Sequence, residues 1–250
     1  MRKYAKLISP IGLLVLWEST VRLDWLDPRL VAPPSLVLAE LWRLAQSGDL
    51  IAALTISLSR VVAGFLIGAA IGITVGALMA RVRIVEVIFD PLIELLRPVS
   101  PLALFPLFIL WFGIGEASKI FIIAFACSFP IILNTYAGVR GIDQTFFKAS
   151  QSLGASPWEI MHTIVLRGSL PHIFTGLRLA WGIALIVIVA AEMIGAVRGI
   201  GYMVLDSQQT FRIPRLFGSI VVIACLGFAT DGGFRYLARQ MMPWYHETRA

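Results

Sequence analysis

Long runs of apolar residues are the feature that most restricts how this chain can fold. A helix needs about 20 mostly apolar residues to cross the hydrocarbon core of a bilayer, which is about 30 Å thick. The chain has 250 residues, of which 58% are hydrophobic and 14% are charged, whereas soluble domains have about 45–50% apolar and about 25% charged residues. Because the runs are continuous rather than alternating, we predict an all-α polytopic membrane protein and not a β-barrel.

About six membrane spans are expected from the positions of these runs, within one transmembrane domain over residues 1–250. The third span is the least regular, because Pro98, Pro101 and Pro106 interrupt it and proline bends a helix. We expect this short span to be kinked or packed inside protein. The predicted spans are roughly Leu7–Val21, Ile56–Ala80, a segment within Val99–Gly113, Ile120–Val139, Ile173–Val197 and Leu216–Leu237.

The placement of lysine and arginine predicts the orientation of the spans, since cytoplasmic segments of membrane proteins are enriched in these residues. With the N-terminus inside, 12 of the 21 fall on the cytoplasmic side, eight fall on the outer side, and Arg97 stays unassigned. Both termini are therefore expected in the cytoplasm. On the outer side, Ser35 is expected to cap a short helix between the first two spans.

The charge and the cysteines exclude several kinds of site. A net charge of +6 fits basic residues that flank membrane spans, so we expect no nucleic-acid partner. Cys127 and Cys225 lie inside apolar runs without the spacing of metal ligands, so we expect buried, inert thiols and no metal site. The sequence has no G-x-x-x-x-G-K-[ST] phosphate loop, and we expect this chain to bind no ATP and no other cofactor.

Four glycines, Gly64, Gly68, Gly72 and Gly76, recur at every fourth residue of the second predicted span. Residues spaced by four lie on one face of a helix, so the glycines form a continuous groove. Such grooves let helix backbones approach closely in a membrane. Tight packing within the subunit is the favoured interpretation, and a moving or intersubunit interface is the alternative.

A polar segment, residues 143–171, separates two apolar runs on the predicted cytoplasmic side, and its first half predicts a short helix. Asp143 can cap this helix through its side chain. Gly154 then occupies the position at which a helix ends in the left-handed conformation.

The second half of the segment predicts another helix. Ser156, Pro157 and Glu159 fit the N-cap, N1 and N3 positions of a capping box. The helix that they start is expected to end near Leu166. Two short helices joined by a glycine turn form a compact projection that suits docking into a partner, and packing against its own bundle is the alternative.

The segment resembles the cytoplasmic motif of the permease subunits of bacterial ABC importers. That motif reads Glu-Ala-Ala, three residues, Gly, nine residues, Ile, one residue, Leu-Pro. The chain matches it at Ala149, Gly154, Ile164 and Leu166, and departs from it at Lys148, Ser150 and Arg167. The stretches SLGASPWEI, GLRLAWG and AAEMIGAVRGIGYMV look like the nitrate/sulfonate/taurine branch of these permeases, and RQMMPWYHE is most similar to taurine permeases.

The resemblance implies the type I ABC importer permease fold, a location in the bacterial inner membrane, and transport rather than enzymatic activity. It also implies a second copy of the chain, two cytoplasmic ATPase subunits that hold ATP and Mg, and a periplasmic binding protein. The implied cargo is a small organic anion, with taurine or another sulfonate first and nitrate, bicarbonate or an aromatic acid as alternatives. The residues implied in ATPase coupling are Lys148, Ala149, Ser150, Leu153, Gly154, Ala155, Ser156, Pro157, Trp158, Glu159, Ile164 and Leu166.

Several polar residues inside or beside the spans are candidates for the translocation pathway. A carboxylate at membrane depth usually faces a bundle interior or a cavity, so Glu192 is either a pathway or gate residue, or a protonated or hydrogen-bonded structural carboxylate. Guanidinium groups match sulfonate and carboxylate oxygens well. The other candidates are Arg97, Asn134, Arg178, Asp206 and Gln208. A different class, a secondary transporter or channel without ATPases, would have no use for the docking segment.

Overall fold

The structure is a computed structural model that describes the backbone of residues 2–27 and 29–243, and the side chains of these residues from residue 12 onwards. Every regular element in this part of the chain is helical, as predicted. The helices are α1 (Arg2–Arg22), α2 (Pro34–Gln46), α3 (Asp49–Arg81), α4 (Arg83–Leu96), α5 (Pro101–Phe112), α6 (Glu116–Arg140), α7 (Gln144–Ser152), α8 (Pro157–Ile160), the π-helical segment Met161–Leu166, α9 (Arg167–Gly195), α10 (Ile200–Gln209) and α11 (Ile213–Met241).

Four continuous helical segments are long and apolar enough to cross a membrane. They are α3, α6, Pro157–Gly195 and α11, and they cover the second, fourth, fifth and sixth predicted spans. Helix α1 covers the first predicted span, but residues 7–11 lie outside the described side chains. The count of six spans and the cytoplasmic location of both termini therefore stay predictions.

The third predicted span is one arm of a broken pair of helices. Helix α5 has 12 residues, and it reaches the length and hydropathy of a span only together with α4, to which it is bent by 105°. The break contains Pro98 and is followed by Pro101, and a residue before proline is biased away from helical conformation. The expected irregularity is confirmed, whereas sequence reasoning missed α4 as a separate helix.

The second helix of the polar segment does not end near Leu166, so that expectation is wrong. The chain remains helical from Pro157 through the π-helical residues Met161–Leu166 into α9. A π-helical stretch inserts extra backbone within a helix without ending it. The projection is thus continuous with a helix of spanning length.

Ser35 is not the cap of α2. The helix starts at Pro34, with Pro33 at the N-cap position two residues before Ser35 and with no side-chain cap. The N–H and the hydroxyl of Ser35 instead donate to the carboxylate of Glu18, at 3.0 Å and 2.8 Å. This acceptor lies 17 positions away in the chain, where a local capping rule does not reach.

The glycine groove of α3 packs against α6. A Cβ added to Gly68 would lie 2.7 Å from the carbonyl oxygen of Ala124, and one added to Gly72 would lie 2.6 Å from Cβ of Ile131. Gly64 and Gly76 meet α6 equally closely. The favoured interpretation, tight packing within one subunit, is confirmed.

The chain forms two compact units, and each has a core of its own. The first comprises Met1–Leu58 and Glu192–Leu226, and the second comprises Ser59–Ala191 and Gly227–Ala250. Buried residues at the centre of the first unit include Leu44, Ala53, Ile200 and Met203. Those in the second include Met79, Ile93 and Ile132.

Candidate coupling segment and buried polar sites

The first helix of the polar segment is capped as predicted. The Oδ1 atom of Asp143 accepts hydrogen bonds from the N–H of Thr145 at 2.9 Å and from its hydroxyl at 2.8 Å. These donors stabilise the charged carboxylate and lower the pKa of Asp143 below its ordinary value. Asp143 therefore remains ionised and holds the start of α7 at neutral pH.

Gly154 ends this helix in the left-handed conformation, with φ +75°. The N–H of Gly154 donates to the carbonyl of Gln151, and the N–H of Ala155 donates to that of Ser150, both at 3.0 Å. These two bonds are the Schellman motif, which turns the chain sharply after a helix. No atom lies within 4 Å of a Cβ added at this position. The backbone conformation, and not lack of space, is what requires glycine here.

The second helix starts with the predicted capping box. The N–H of Ser156 donates to the carboxylate of Glu159 at 2.7 Å, and the N–H of Glu159 donates to Oγ of Ser156 at 3.3 Å. Pro157 occupies the first helical position. The local geometry expected for the helix–glycine–helix projection is therefore confirmed.

The projection exposes large apolar side chains rather than burying them. Leu153 is 87% exposed and Trp158 is 72% exposed. Trp158 contacts the ring of His162 edge-on, with the ring centroids 4.1 Å apart. Nine of the twelve residues implied in coupling are exposed, and Ser150, Ala155 and Ile164 are half-buried. Exposed apolar surface of this kind is typical of an interaction site.

A cleft of about 710 Å³ lies beside the projection. Its walls include Gln144, Gln151 and Pro157 from the projection and Arg81 and Arg140 from the ends of α3 and α6.

The carboxylate of Glu86, in the wall of this cleft, binds basic residues that also line the cleft. Glu86 accepts hydrogen bonds from Tyr136, Arg140 and Arg83. Sequence reasoning missed this cluster, although the spacing of Arg83 and Glu86 by three residues is a local signal. The other partners lie 50 and 54 positions away in the chain.

Glu192 is fully buried and ties three helices together. The Ser57 hydroxyl of α3 donates to the Glu192 carboxylate of α9, 2.8 Å from Oε1 and 2.9 Å from Oε2. At the start of α10, the N–H of Gly201 donates to Glu192 at 2.8 Å, and that of Ile200 donates to Oγ of Ser57 at 2.9 Å. We call this arrangement the Glu192 clamp. It gives the carboxylate a structural role, and a role in the pathway stays a prediction.

The clamp depends on a glycine that precedes α10. Gly199 has φ +127°, and a Cβ at this position would lie 2.4 Å from the carboxylate atoms of Glu192. Only glycine tolerates both the backbone conformation and the close approach. The dipole of α10 adds a favourable interaction, because the positive N-terminal end of the helix faces the carboxylate.

Arg178 and Asp231 form an ion pair between α9 and α11. Nε of Arg178 lies 2.5 Å from Oδ1 of Asp231, and Arg235 approaches the same carboxylate at 3.1 Å. A second guanidinium, that of Arg60, is buried and contacts the carboxylate of Glu116 at 2.5 Å and 2.6 Å. An anion that passes either arginine would compete with a carboxylate already in place.

The remaining pathway candidates have separate surroundings. Asp206 and Gln208 lie on α10, and Asp206 pairs with Arg215 at 3.4 Å. Asn134 is half-buried on α6 and donates to the carbonyl of Pro130 at 2.8 Å. Arg97 is exposed at the end of α4. Their roles in transport stay predictions.

The two cysteines differ in exposure. Cys127 is buried and its thiol donates to the carbonyl of Ala180 at 3.3 Å, as expected for an inert thiol. Cys225 is exposed, so the expectation of burial is wrong for it. An apolar position in a membrane helix need not be buried in protein, because lipid is equally apolar. The described part of the chain contains no group of His, Cys, Asp and Glu that could hold a metal ion.

Comparison with known proteins identifies the family. Residues 68–243 match the model described as "binding-protein-dependent transport system inner membrane component". The chain belongs to this family. It is a permease subunit of an ABC importer in the inner membrane, as the motif around Gly154 predicted.

Two curated relatives match nearly the whole permease, and a third matches a shorter part of it. It is 38% identical to the taurine transport system permease protein of Escherichia coli, over 95% of this chain and 88% of that protein. It is 35% identical to a putative aliphatic sulfonates transport permease protein of Bacillus subtilis, over 95% and 86%. It is also 35% identical to the bicarbonate transport system permease protein of Synechococcus elongatus, over 74% and 67%.

Solved structures confirm the fold of the permease. A chain of the MetNI methionine ABC transporter aligns with a TM-score of 0.64 and 16% identity, over 76% of this chain and 95% of that chain. A chain of an amino acid ABC transporter aligns with a TM-score of 0.56 and 19% identity, over 82% and 98%. The all-helical importer permease fold implied by the sequence is therefore confirmed.

Proposed function

We propose that this permease imports a small organic anion, with taurine or another sulfonate as the first candidate. The observation that carries the proposal is the 38% identity over 95% of the chain to a taurine permease, together with the sulfonate relative. The bicarbonate relative supports a second candidate, a small inorganic oxyanion such as bicarbonate or nitrate. An aromatic acid is a further alternative within the same class of importer.

The proposed assembly contains two copies of the permease, two cytoplasmic ATPase subunits and a soluble binding protein. Family membership supports the ATPase and binding-protein partners. ATP and Mg would be held by the ATPase subunits, and this chain supplies the pathway through the membrane. The binding protein would carry most of the selection of substrate.

The projection around Gly154 is the proposed contact with the ATPases. Its exposed Leu153 and Trp158 supply the apolar anchors that a docking site needs, and the Schellman turn and capping box hold them on a rigid backbone. Because the second helix of the projection continues into α9, movement of a docked ATPase would be passed directly to a membrane helix. Lys148 replaces the acid of the family motif, so its contact with the ATPase would differ in charge.

Growth and uptake test the proposed substrate. Deletion of the gene should abolish growth with taurine as the sole sulfur source, while growth on inorganic sulfate serves as the control. Uptake of radiolabelled taurine should require ATP and should persist when ion gradients are collapsed. Normal taurine uptake in the deletion strain would exclude taurine, and uptake that follows the ion gradient would favour a secondary transporter instead.

Substitution at Gly154 tests the coupling contact. We expect Gly154→Val to reduce uptake to less than about a tenth, because valine resists the left-handed conformation that the turn requires. Gly154→Asn should retain most of the uptake, since asparagine tolerates this conformation and space is open there. Co-purification with the ATPase and membrane insertion should be measured for both variants. Wild-type uptake by the inserted valine variant would rule out the turn as a coupling element.

A further inference from the structure

The turn between α10 and α11 holds an aromatic residue in a backbone conformation that rarely accepts one. Phe211 has φ +54°, in the left-handed region that bulky L residues avoid. Asp24 also adopts this conformation, but aspartate is one of the residue types that tolerate it. The other left-handed positions in the described chain are glycines: Gly48, Gly113, Gly154 and Gly199.

Hydrogen bonds define the turn around Phe211 well. The N–H of Phe211 donates to the carbonyl of Gln208 at 3.3 Å, and the N–H of Arg212 donates to that of Ser207 at 2.9 Å. These bonds form the same Schellman motif that Gly154 completes after α7, with phenylalanine in the position that usually holds glycine. Phe211 is therefore strained within an ordered turn.

The ring of Phe211 makes little packing contact that could offset this backbone strain. The residue is 82% exposed, and among the large apolar residues described only Leu153 of the coupling projection is more exposed. The adjacent Gln208, Thr210 and Arg212 are also exposed, so the ring stands in a polar surface. An exposed aromatic residue next to an arginine is a composition typical of protein–protein hot spots.

We propose that Phe211 and Arg212 form a docking contact for the soluble substrate-binding protein. This inference rests on the proposed function, because only an importer with such a partner has a use for it. The orientation predicted from the lysines and arginines places the turn on the outer face, where a binding protein would arrive. Arg212 is exposed, and its positive charge, which also acts on the carboxylate of Glu40, favours an acidic partner surface. The partner's contact would therefore be an apolar pocket with acidic side chains at its rim.

Strain at Phe211 makes the test unusually specific. Phe211→Gly relieves the backbone strain, so the melting temperature of the purified complex should stay the same or rise. The same change removes the ring from the proposed contact. In nanodiscs that contain the permease–ATPase complex, the concentration of binding protein needed for half-maximal ATPase stimulation should rise at least about tenfold. The probe is the binding protein encoded beside this permease.

Two further variants complete the experiment. Asp24→Gly relieves a left-handed position elsewhere in the chain and should leave the half-maximal concentration unchanged. Arg212→Gln should raise that concentration and should make it less sensitive to salt, because it removes an attractive charge.

The possible outcomes separate the inference from the proposed function. A wild-type complex that the binding protein does not stimulate would contradict the proposed function itself, and the docking contact with it. Normal wild-type stimulation with an unchanged half-maximal concentration for Phe211→Gly would overturn the docking contact alone. A fall in melting temperature or in basal ATPase activity for Phe211→Gly would indicate that the ring contacts lipid or a second copy of the chain, and would likewise overturn it.

Discussion

Gly199→Ala is expected to abolish uptake and to lower the melting temperature of the permease. The added Cβ would lie 2.4 Å from the carboxylate atoms of Glu192, and φ +127° is accessible essentially only to glycine. To accommodate it, the Glu192 clamp must open, which leaves the buried N–H of Gly201 without its acceptor. Backbone strain and the lost hydrogen bonds together should cost about 2–4 kcal/mol of stability.

Hydrogen exchange should show where in the permease this stability is lost. Amides in α10 should exchange faster in Gly199→Ala than in the wild type, because the start of this helix depends on the clamp. Gly115→Ala is the matched control, since Gly115 lies in extended backbone and nothing lies within 4 Å of an added Cβ. Wild-type stability and exchange in Gly199→Ala would show that the clamp is not needed to hold α10.

Companion variants of the clamp separate a structural role from a pathway role for Glu192. Ser57→Ala removes the donor to the carboxylate and leaves the N–H of Ile200 unpaired, at a cost of about 1–3 kcal/mol. Glu192→Gln keeps an oxygen that can accept from Gly201 but replaces the carboxyl group with an amide. If uptake falls in proportion to stability in both variants, Glu192 is structural. If Glu192→Gln loses uptake at unchanged stability, the carboxyl group itself acts in transport.

Gly68→Leu is expected to prevent α3 from packing against α6. A Cβ at Gly68 would lie 2.7 Å from the carbonyl oxygen of Ala124 and 2.9 Å from Cβ of Cys127. The nearest obstacle is backbone, so no rotation of a side chain relieves the clash. Overpacking usually costs about 1–3 kcal/mol of stability. Because the two helices could no longer approach each other, the loss of stability in Gly68→Leu should exceed this range. We expect little folded permease in the membrane, measured by the amount of monodisperse protein after detergent extraction.

The control for this variant is Ala70→Leu on the same helix, where the side chain is exposed and leucine has room. Alanine substitutions sharpen the test, because Gly→Ala normally stabilises a helix interior by about 0.5–1 kcal/mol. Gly182→Ala in α9 should follow this rule, since nothing lies within 4 Å. Gly68→Ala should instead destabilise the permease, because the added Cβ would clash with α6. Equal effects at the two glycines would contradict the close packing of α3 against α6.

Local signals were sufficient wherever the structure depends on neighbours in the chain. Because the hydrocarbon core offers no water to backbone groups, a long apolar run must be helical, and α3, α6 and α11 appear where hydropathy predicted them. The cap at Asp143, the turn at Gly154 and the box of Ser156 and Glu159 were equally predictable. Each of these bonds joins residues no more than five positions apart.

Continuity between elements was harder to predict. Sequence reasoning placed a break near Leu166, where the chain instead passes through a π-helical stretch into α9. It also missed α4 before the break that contains Pro98. Prolines and polar residues weaken a helix locally, but whether the helix ends depends on the packing of the surrounding elements.

The amino-acid sequence by itself therefore determined that this protein is an all-helical membrane permease with a capped helix–glycine–helix projection. Only the tertiary structure decided what its buried polar groups do. The sequence alone left open whether Glu192 is a pathway residue or a structural one. Its hydrogen-bond partner Ser57 lies 135 positions away in the chain. A buried carboxylate must find hydrogen-bond donors, but which donors it meets depends on how distant helices pack, and no local pattern records that packing.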